Sequence, residues 1–108
     1  MPIHAFRMNL HKGQEAEYWR RHQTLWPELA AALEEAGIED YRIFLDHETC
    51  HLFAIMFSRE DHHVDALSDL PVMRRWWEYM ADIMETYEDH APVSVPLDQV
   101  FAFHPGEL

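Results

Sequence analysis

Residues 51–57, HLFAIMF, place six apolar side chains in a row from Leu52 to Phe57. The run reads as a strand, joined to a preceding one by the polar turn DHETC at 46–50. Successive side chains of a strand point to opposite faces, so this strand is apolar on both, and both faces need cover.

The rest of the chain supplies one cover. Residues 3–10 alternate Phe6, Met8 and Leu10 with Arg7 and Asn9, and residues 40–46 alternate Tyr41, Ile43 and Leu45 with Arg42 and Asp46. Both patterns predict half-buried strands. Gly13 opens a helical stretch to Ala36, closed by Gly37 in the C-cap role. Pro27 would clash with the preceding turn of an unbroken helix, which predicts a break there with Thr24 as the cap of the second piece. The apolar stripe is Tyr18, His22, Leu25 and Leu29, with Trp19, Trp26 and Leu33 beside it. Ser58 with Asp61 resembles a capping box and predicts a short helix to about Asp69. Pro71 starts another, with the stripe Met73, Trp76, Met80, Ile83 and Tyr87. Residues 88–96 read as loop, and LDQVFAF, residues 97–103, as a closing strand.

The order β-α-β-β-α-β predicts one α+β domain over residues 1–108, a ferredoxin-like sandwich with four antiparallel strands and helices on one face. The opposite face is left open. A deep pocket or a second subunit is required to cover it.

Charge narrows the partners. Twenty acidic residues against eight basic ones give a net charge of −12 at pH 7. Nucleic acid is disfavoured, because affinity there rests on neutralising phosphates with Lys and Arg. The pairs Arg20-Arg21 and Arg74-Arg75 are too small to overturn this. Anionic ligands and membrane surfaces are disfavoured on the same ground, and a neutral small molecule suits the balance best. No stretch approaches the ~20 apolar residues of a membrane span. The opening MPIHAFRMNLHKG lacks the pattern of a signal peptide, and the single Cys50 fits a reducing compartment, so the expected location is the cytoplasm. With three glycines there is no phosphate-cradling loop, and no G-x-S-x-G motif is present.

Few residues carry candidate chemistry. Tyr18 and His22 lie one helical turn apart on the same face. His22 is either a satisfied structural histidine or, with Tyr18 beside it, the acid–base group of a lined cavity. Trp76 and Trp77 are adjacent, so on a helix they point about 100° apart and cannot both face one core. One belongs to the stripe. The other packs against a neighbouring element or subunit, or forms an indole wall for the apolar face of a ligand. DHETCH at 46–51 holds metal-ligand residue types but reads as a solvated turn, and DHH at 61–63 as an exposed helix face. Cys50 has no paired base in view. The residues together describe a cofactor-free pocket with one histidine, tyrosines at 18 and 41 and tryptophan walls, a description a sugar fits.

The blocks EYWRRHQTLWPEL (17–29), YRIFLD (41–46), RRWWEYM (74–80) and PVSVPLDQVF (92–101) resemble the L-rhamnose mutarotase family in order and spacing, from about Ile3 to Phe103. The resemblance implies a homodimeric α+β barrel made by two sheets packed face to face. It implies L-rhamnose as substrate, with His22 as proton donor and Tyr18, Tyr41, Trp76 and Trp77 contacting the sugar. No metal or other cofactor is implied. The stretch ETYEDHAPVS (85–94) departs from the family's pattern, which leaves L-fucose or another deoxyhexose as an alternative substrate. The same barrel also hosts small monooxygenases and haem-degrading enzymes, and a non-catalytic sugar-binding module is a further alternative.

Overall fold

A computed structural model of the chain describes residues 2–106. Its elements are β1 (Ile3–Asn9), α1 (Glu15–Gln23), α2 (Pro27–Glu35), β2 (Ile38–Asp46), β3 (His51–Ser58), a 3-10 segment (Val64–Asp69), α3 (Pro71–Met80) and β4 (Val95–Pro96). The strands form one sheet in the order β2-β3-β1-β4, with every neighbouring pair antiparallel.

Register explains how the apolar run of β3 is divided. Leu52, Ala54 and Met56 are buried, flanked by Met8, Phe6 and His4 on β1 and by Leu45, Ile43 and Tyr41 on β2. This face meets Leu29 of α2 and Val72, Trp76 and Met80 of α3 in the main core. The alternate residues Phe53, Ile55 and Phe57 are only half buried and lie on the other face, beside Ala5, Arg7, Arg42 and the exposed Phe44. A broad hollow of about 390 Å³ opens on this side, lined by Asp40, Arg42, Phe44, Ile55 and Phe57.

The helical stretch breaks at Pro27, but the cap differs from the one expected. Trp26, not Thr24, is the N-cap, in extended conformation with φ −61° and ψ 129°. A residue before proline is driven out of the helical region, so Trp26 must be extended. Thr24 instead ends α1, its hydroxyl donating back to the Arg20 carbonyl at 3.2 Å. Gly37, with φ +103°, turns the chain into β2, and a Cβ there would lie 2.9 Å from the His62 Cα.

Four other expectations are corrected. Ser58 is not a cap but the last residue of β3, fully buried and 3.2 Å from His4 Nε2; the helical turn begins only at Val64, so residues 61–63 are not on a helix. The helix from Pro71 ends at Met80 rather than Tyr87, because the chain turns there to lie along the end of β1, with Glu85 N–H donating to the Asn9 carbonyl and Met84 bridging Leu10. Trp19, expected beside the buried stripe, is turned to solvent and 68% exposed. The closing strand is Val95–Pro96 rather than 97–103. Pro96 lies opposite Phe6 on β1, so an antiparallel chain passes the start of β1 within a few residues and loses its partner. Val100, Phe101 and Phe103 therefore run on exposed. Among the described residues no helix is long and apolar enough to cross a membrane.

Candidate active site

The two α1 residues singled out from spacing do face inward. Tyr18 packs against the core, and its ring lies over that of His22 with centroids 4.2 Å apart. His22 Nδ1 is 2.9 Å from the Tyr18 carbonyl one turn back. A carbonyl only accepts, so the network assigns the Nδ1 proton to that bond and leaves the lone pair of the neutral ring on Nε2.

α3 brings up the facing wall. Trp76 is buried and meets the His22 ring edge-on, with centroids 5.4 Å apart at 90°. Trp26 packs edge-on against Trp76 at 5.2 Å, and Tyr79 completes the cluster at 5.7 Å from Trp76 and 5.5 Å from Trp26. Trp77 points elsewhere, as adjacent helical residues must. It is half buried at the margin of the core, with indole surface still accessible. Trp76 is therefore the stripe residue of the pair. Tyr41 arrives from β2, opposite Met56 on the helix-covered face.

Burial sets the protonation of these groups. It pushes the Tyr41 phenol up to about 12. It also raises Tyr18, with neighbouring Tyr41 adding to the effect, which places the two phenols in one electrostatic environment. Burial lowers the His22 pKa, opposed by the hydrogen bond to the Tyr18 carbonyl. At neutral pH the site thus presents two neutral hydroxyls and a mostly neutral imidazole. Such groups hydrogen-bond sugar hydroxyls without requiring a charged ligand.

The structure brings Tyr18, His22 and Trp76 into direct contact, with Tyr41 and Trp77 at the same helix–sheet core. The other clusters stay apart from them. After Asp46 ends β2, residues 47–50 form the turn to β3, exposed at His47, Glu48 and Thr49, where the half-buried Cys50 thiol donates to the Glu15 carboxylate at 3.6 Å and burial raises its pKa. Among the described residues no group of three or more His, Cys, Asp or Glu side chains is arranged to hold a metal ion. The divergent stretch folds back through a bridge between Thr86 and Pro92 and is tied to β1 by Asn9 donating to Glu85.

Spacing did not single out Arg21, which is only 8% exposed beside His22. Its Nε donates to Glu17 at 2.7 Å, and its Nη1 donates to the Tyr79 carbonyl at 2.8 Å and to Asp82 at 2.9 Å. The one available signal is Glu17, four residues earlier on the same helical face.

The chain is thus a four-stranded antiparallel α+β protein with histidine, tyrosine and tryptophan rings gathered under its helices, neutral hydrogen-bonding groups set against an aromatic wall. Comparison with known proteins makes this specific. A family profile described as L-rhamnose mutarotase matches residues 4–103. The L-rhamnose mutarotase of Rhizobium meliloti (strain 1021) is 52% identical over 101 residues, covering 94% of this chain and 97% of its own. That of Paraburkholderia phytofirmans is 56% identical over 97 residues, covering 90% and 91%. A crystal structure of an L-rhamnose mutarotase from Formosa agariphila superposes with a TM-score of 0.89 at 41% identity, covering 96% of this chain and all of that one. The chain belongs to the L-rhamnose mutarotase family.

Proposed function

We propose that this protein interconverts the α and β anomers of L-rhamnose by general acid–base ring opening and reclosure. The observation that carries the reading is the His22 ring, fixed by the Tyr18 carbonyl at 2.9 Å and held between the rings of Tyr18 and Trp76, in a member of this family.

The chemistry requires one proton delivered to the ring oxygen and one removed from the C1 hydroxyl. The C1–O5 bond breaks, the aldehyde forms, C1 turns about its bond to C2, and the hydroxyl on C5 adds to the other carbonyl face. The imidazolium form of His22 gives its Nε2 proton to the ring oxygen as the C1–O5 bond breaks, while the C1 hydroxyl proton passes through the phenol of Tyr18 or Tyr41 to water. On closing, the C5 hydroxyl proton returns to Nε2 and the C1 oxygen takes a proton back by the same relay. A positioned acid–base group of this kind contributes roughly 10²–10⁴-fold. Lowering the His22 pKa reduces the imidazolium population but makes that species the stronger acid. Trp76 or Trp77 borders the apolar side of the sugar and its methyl group. No step of this scheme uses a metal or redox cofactor.

The same reading makes the chain a single ferredoxin-like domain over residues 1–108 that pairs, sheet to sheet, as a homodimeric barrel. The strand order β2-β3-β1-β4 supports this. So do the open face at Phe44, Ile55 and Phe57 and the exposed apolar tail at Val100, Phe101 and Phe103. The lone cysteine supports work in the reducing cytoplasm. Family membership favours mutarotation over the oxygen-dependent chemistry that the architecture alone would allow.

NMR saturation transfer between the two anomeric protons of L-rhamnose, with catalytic protein, tests the activity. The reading expects faster exchange than the spontaneous rate. Acceleration with L-fucose but not L-rhamnose would reassign the substrate, and no acceleration with either would overturn the reading.

A further inference from the structure

Arg21 precedes His22 on α1, so their side chains leave the helix about 100° apart. His22 points into the aromatic cluster. Arg21 runs across to the C-terminal end of α3, where Nη1 donates to the Tyr79 carbonyl at 2.8 Å and to Asp82 Oδ1 at 2.9 Å, and Nη2 donates to Asp82 Oδ2 at 3.2 Å. Its Nε donates to Glu17 on its own helix at 2.7 Å. The guanidinium carbon stands 4.4 Å from the Tyr79 ring centroid. Tyr79 packs on Trp76, and Trp76 meets His22 edge-on. The contacts close a loop: Arg21 to Tyr79, Tyr79 to Trp76, Trp76 to His22, and back along α1 to Arg21.

Stability alone is a weak reason for this arrangement. Burying a guanidinium carries a desolvation penalty that its ion pairs only offset, and apolar side chains of similar volume often serve as well or better. Direction is what an apolar side chain cannot supply. A rigid fork with acceptors on two helices fixes the rotation of α1 about its own axis. That rotation sets where His22 Nε2 stands relative to Trp76.

We propose that Arg21, with Asp82, is a positioning residue for the His22 acid–base group. It touches no reacting atom and acts by fixing α1 against the end of α3. The inference rests on the reading of His22 given above.

The test compares the wild type with Arg21→Met, Arg21→Lys and Asp82→Asn. Each is read for kcat and KM of anomer exchange per folded molecule and for the ring proton resonances of His22, which the Trp76 and Tyr18 rings displace. A misplacement of about 1 Å at a reacting group costs roughly 100-fold. Arg21→Met is therefore expected to lower kcat roughly 10–100-fold, with KM within about twofold and the His22 resonances moved. Arg21→Lys keeps the charge without the fork and recovers only part of the loss. Asp82→Asn, at an exposed carboxylate, lowers kcat by a few fold and moves the same resonances. Should Arg21→Met fail to fold, the other two variants carry the test with the same outcomes. The proposal is overturned by folded variants with wild-type kcat, by a loss confined to KM, or by a loss that tracks the folded fraction with the resonances unmoved. A wild type that does not accelerate exchange defeats the parent reading instead, and the resonances still report whether Arg21 positions His22.

Discussion

Replacing Trp76 and Trp77 separately by alanine divides a stability role from a binding role within one turn of α3. A tryptophan side chain buries about 150–250 Å², which at about 25 cal/mol per Å² corresponds to about 4–6 kcal/mol as an upper bound. Trp76 is 8% exposed and makes edge contacts with both His22 and Trp26, so nearly all of that area is at stake. Its removal is expected to cost about 4 kcal/mol, within the range for large buried aromatics. Trp77 is half buried and its removal should cost about 2 kcal/mol. Urea unfolding, with a slope of about 1.5 kcal/mol/M for a domain of this size, would then lower the midpoint by about 2–3 M for Trp76→Ala and about 1 M for Trp77→Ala. Far-UV circular dichroism is the suitable probe, since both changes alter the fluorescence. Trp77→Ala should stay folded yet bind sugar less well, with KM rising roughly tenfold for a contact of about 1.4 kcal/mol. Equal stability losses, or an unchanged KM in folded Trp77→Ala, would refute the division.

Two further predictions concern acid and association. His22 has a folded pKa below its unfolded value of about 6.5, so its neutral form is the one the fold prefers. Its contribution to stability is complete above about pH 6.5 and is lost as pH falls through the lowered folded value, a slope that His22→Asn should remove. Glu17, held at about 2 by hydrogen bonds from Arg20 and Arg21, contributes above about pH 4.5 and loses that contribution as pH falls toward 2. Urea titrations across pH read both windows, and a stability that rose on acidification below pH 6.5 would contradict the His22 assignment. Ile55→Glu sets a charge in the middle of the open sheet face. Sedimentation equilibrium should find a dimer for the wild type and a monomer for this variant; a monomeric wild type would overturn the paired-sheet arrangement.

Much of this was legible in the sequence where local chemistry decides the outcome. Alternation at Phe6-Met8 and at Tyr41-Ile43-Leu45 located strands, Pro27 located the helix break, and helical spacing put Tyr18, His22 and Trp76 on inward faces. The failures occurred where tertiary geometry overrides local pattern. Ile83 continues the α3 periodicity and is buried, yet it lies beyond the helix in a segment that pairs with β1. LDQVFAF has the composition of a strand but runs past the start of its partner. Arg20 and Arg21 are identical in type, and only the approach of Asp82 and the Tyr79 carbonyl singles out the buried one. Trp26 and Tyr79 join the cluster across helices, a relation no sequence spacing records.

The central claim is that His22 moves the proton in sugar ring opening. Its most direct test is the exchange rate between the anomeric protons of L-rhamnose with wild type and with His22→Asn at equal folded concentration. Asparagine retains a donor for the Tyr18 carbonyl and loses the titrating ring. The account predicts that the wild type accelerates exchange and that the variant loses roughly 10²–10⁴-fold of that acceleration. A folded His22→Asn protein as active as the wild type would contradict it.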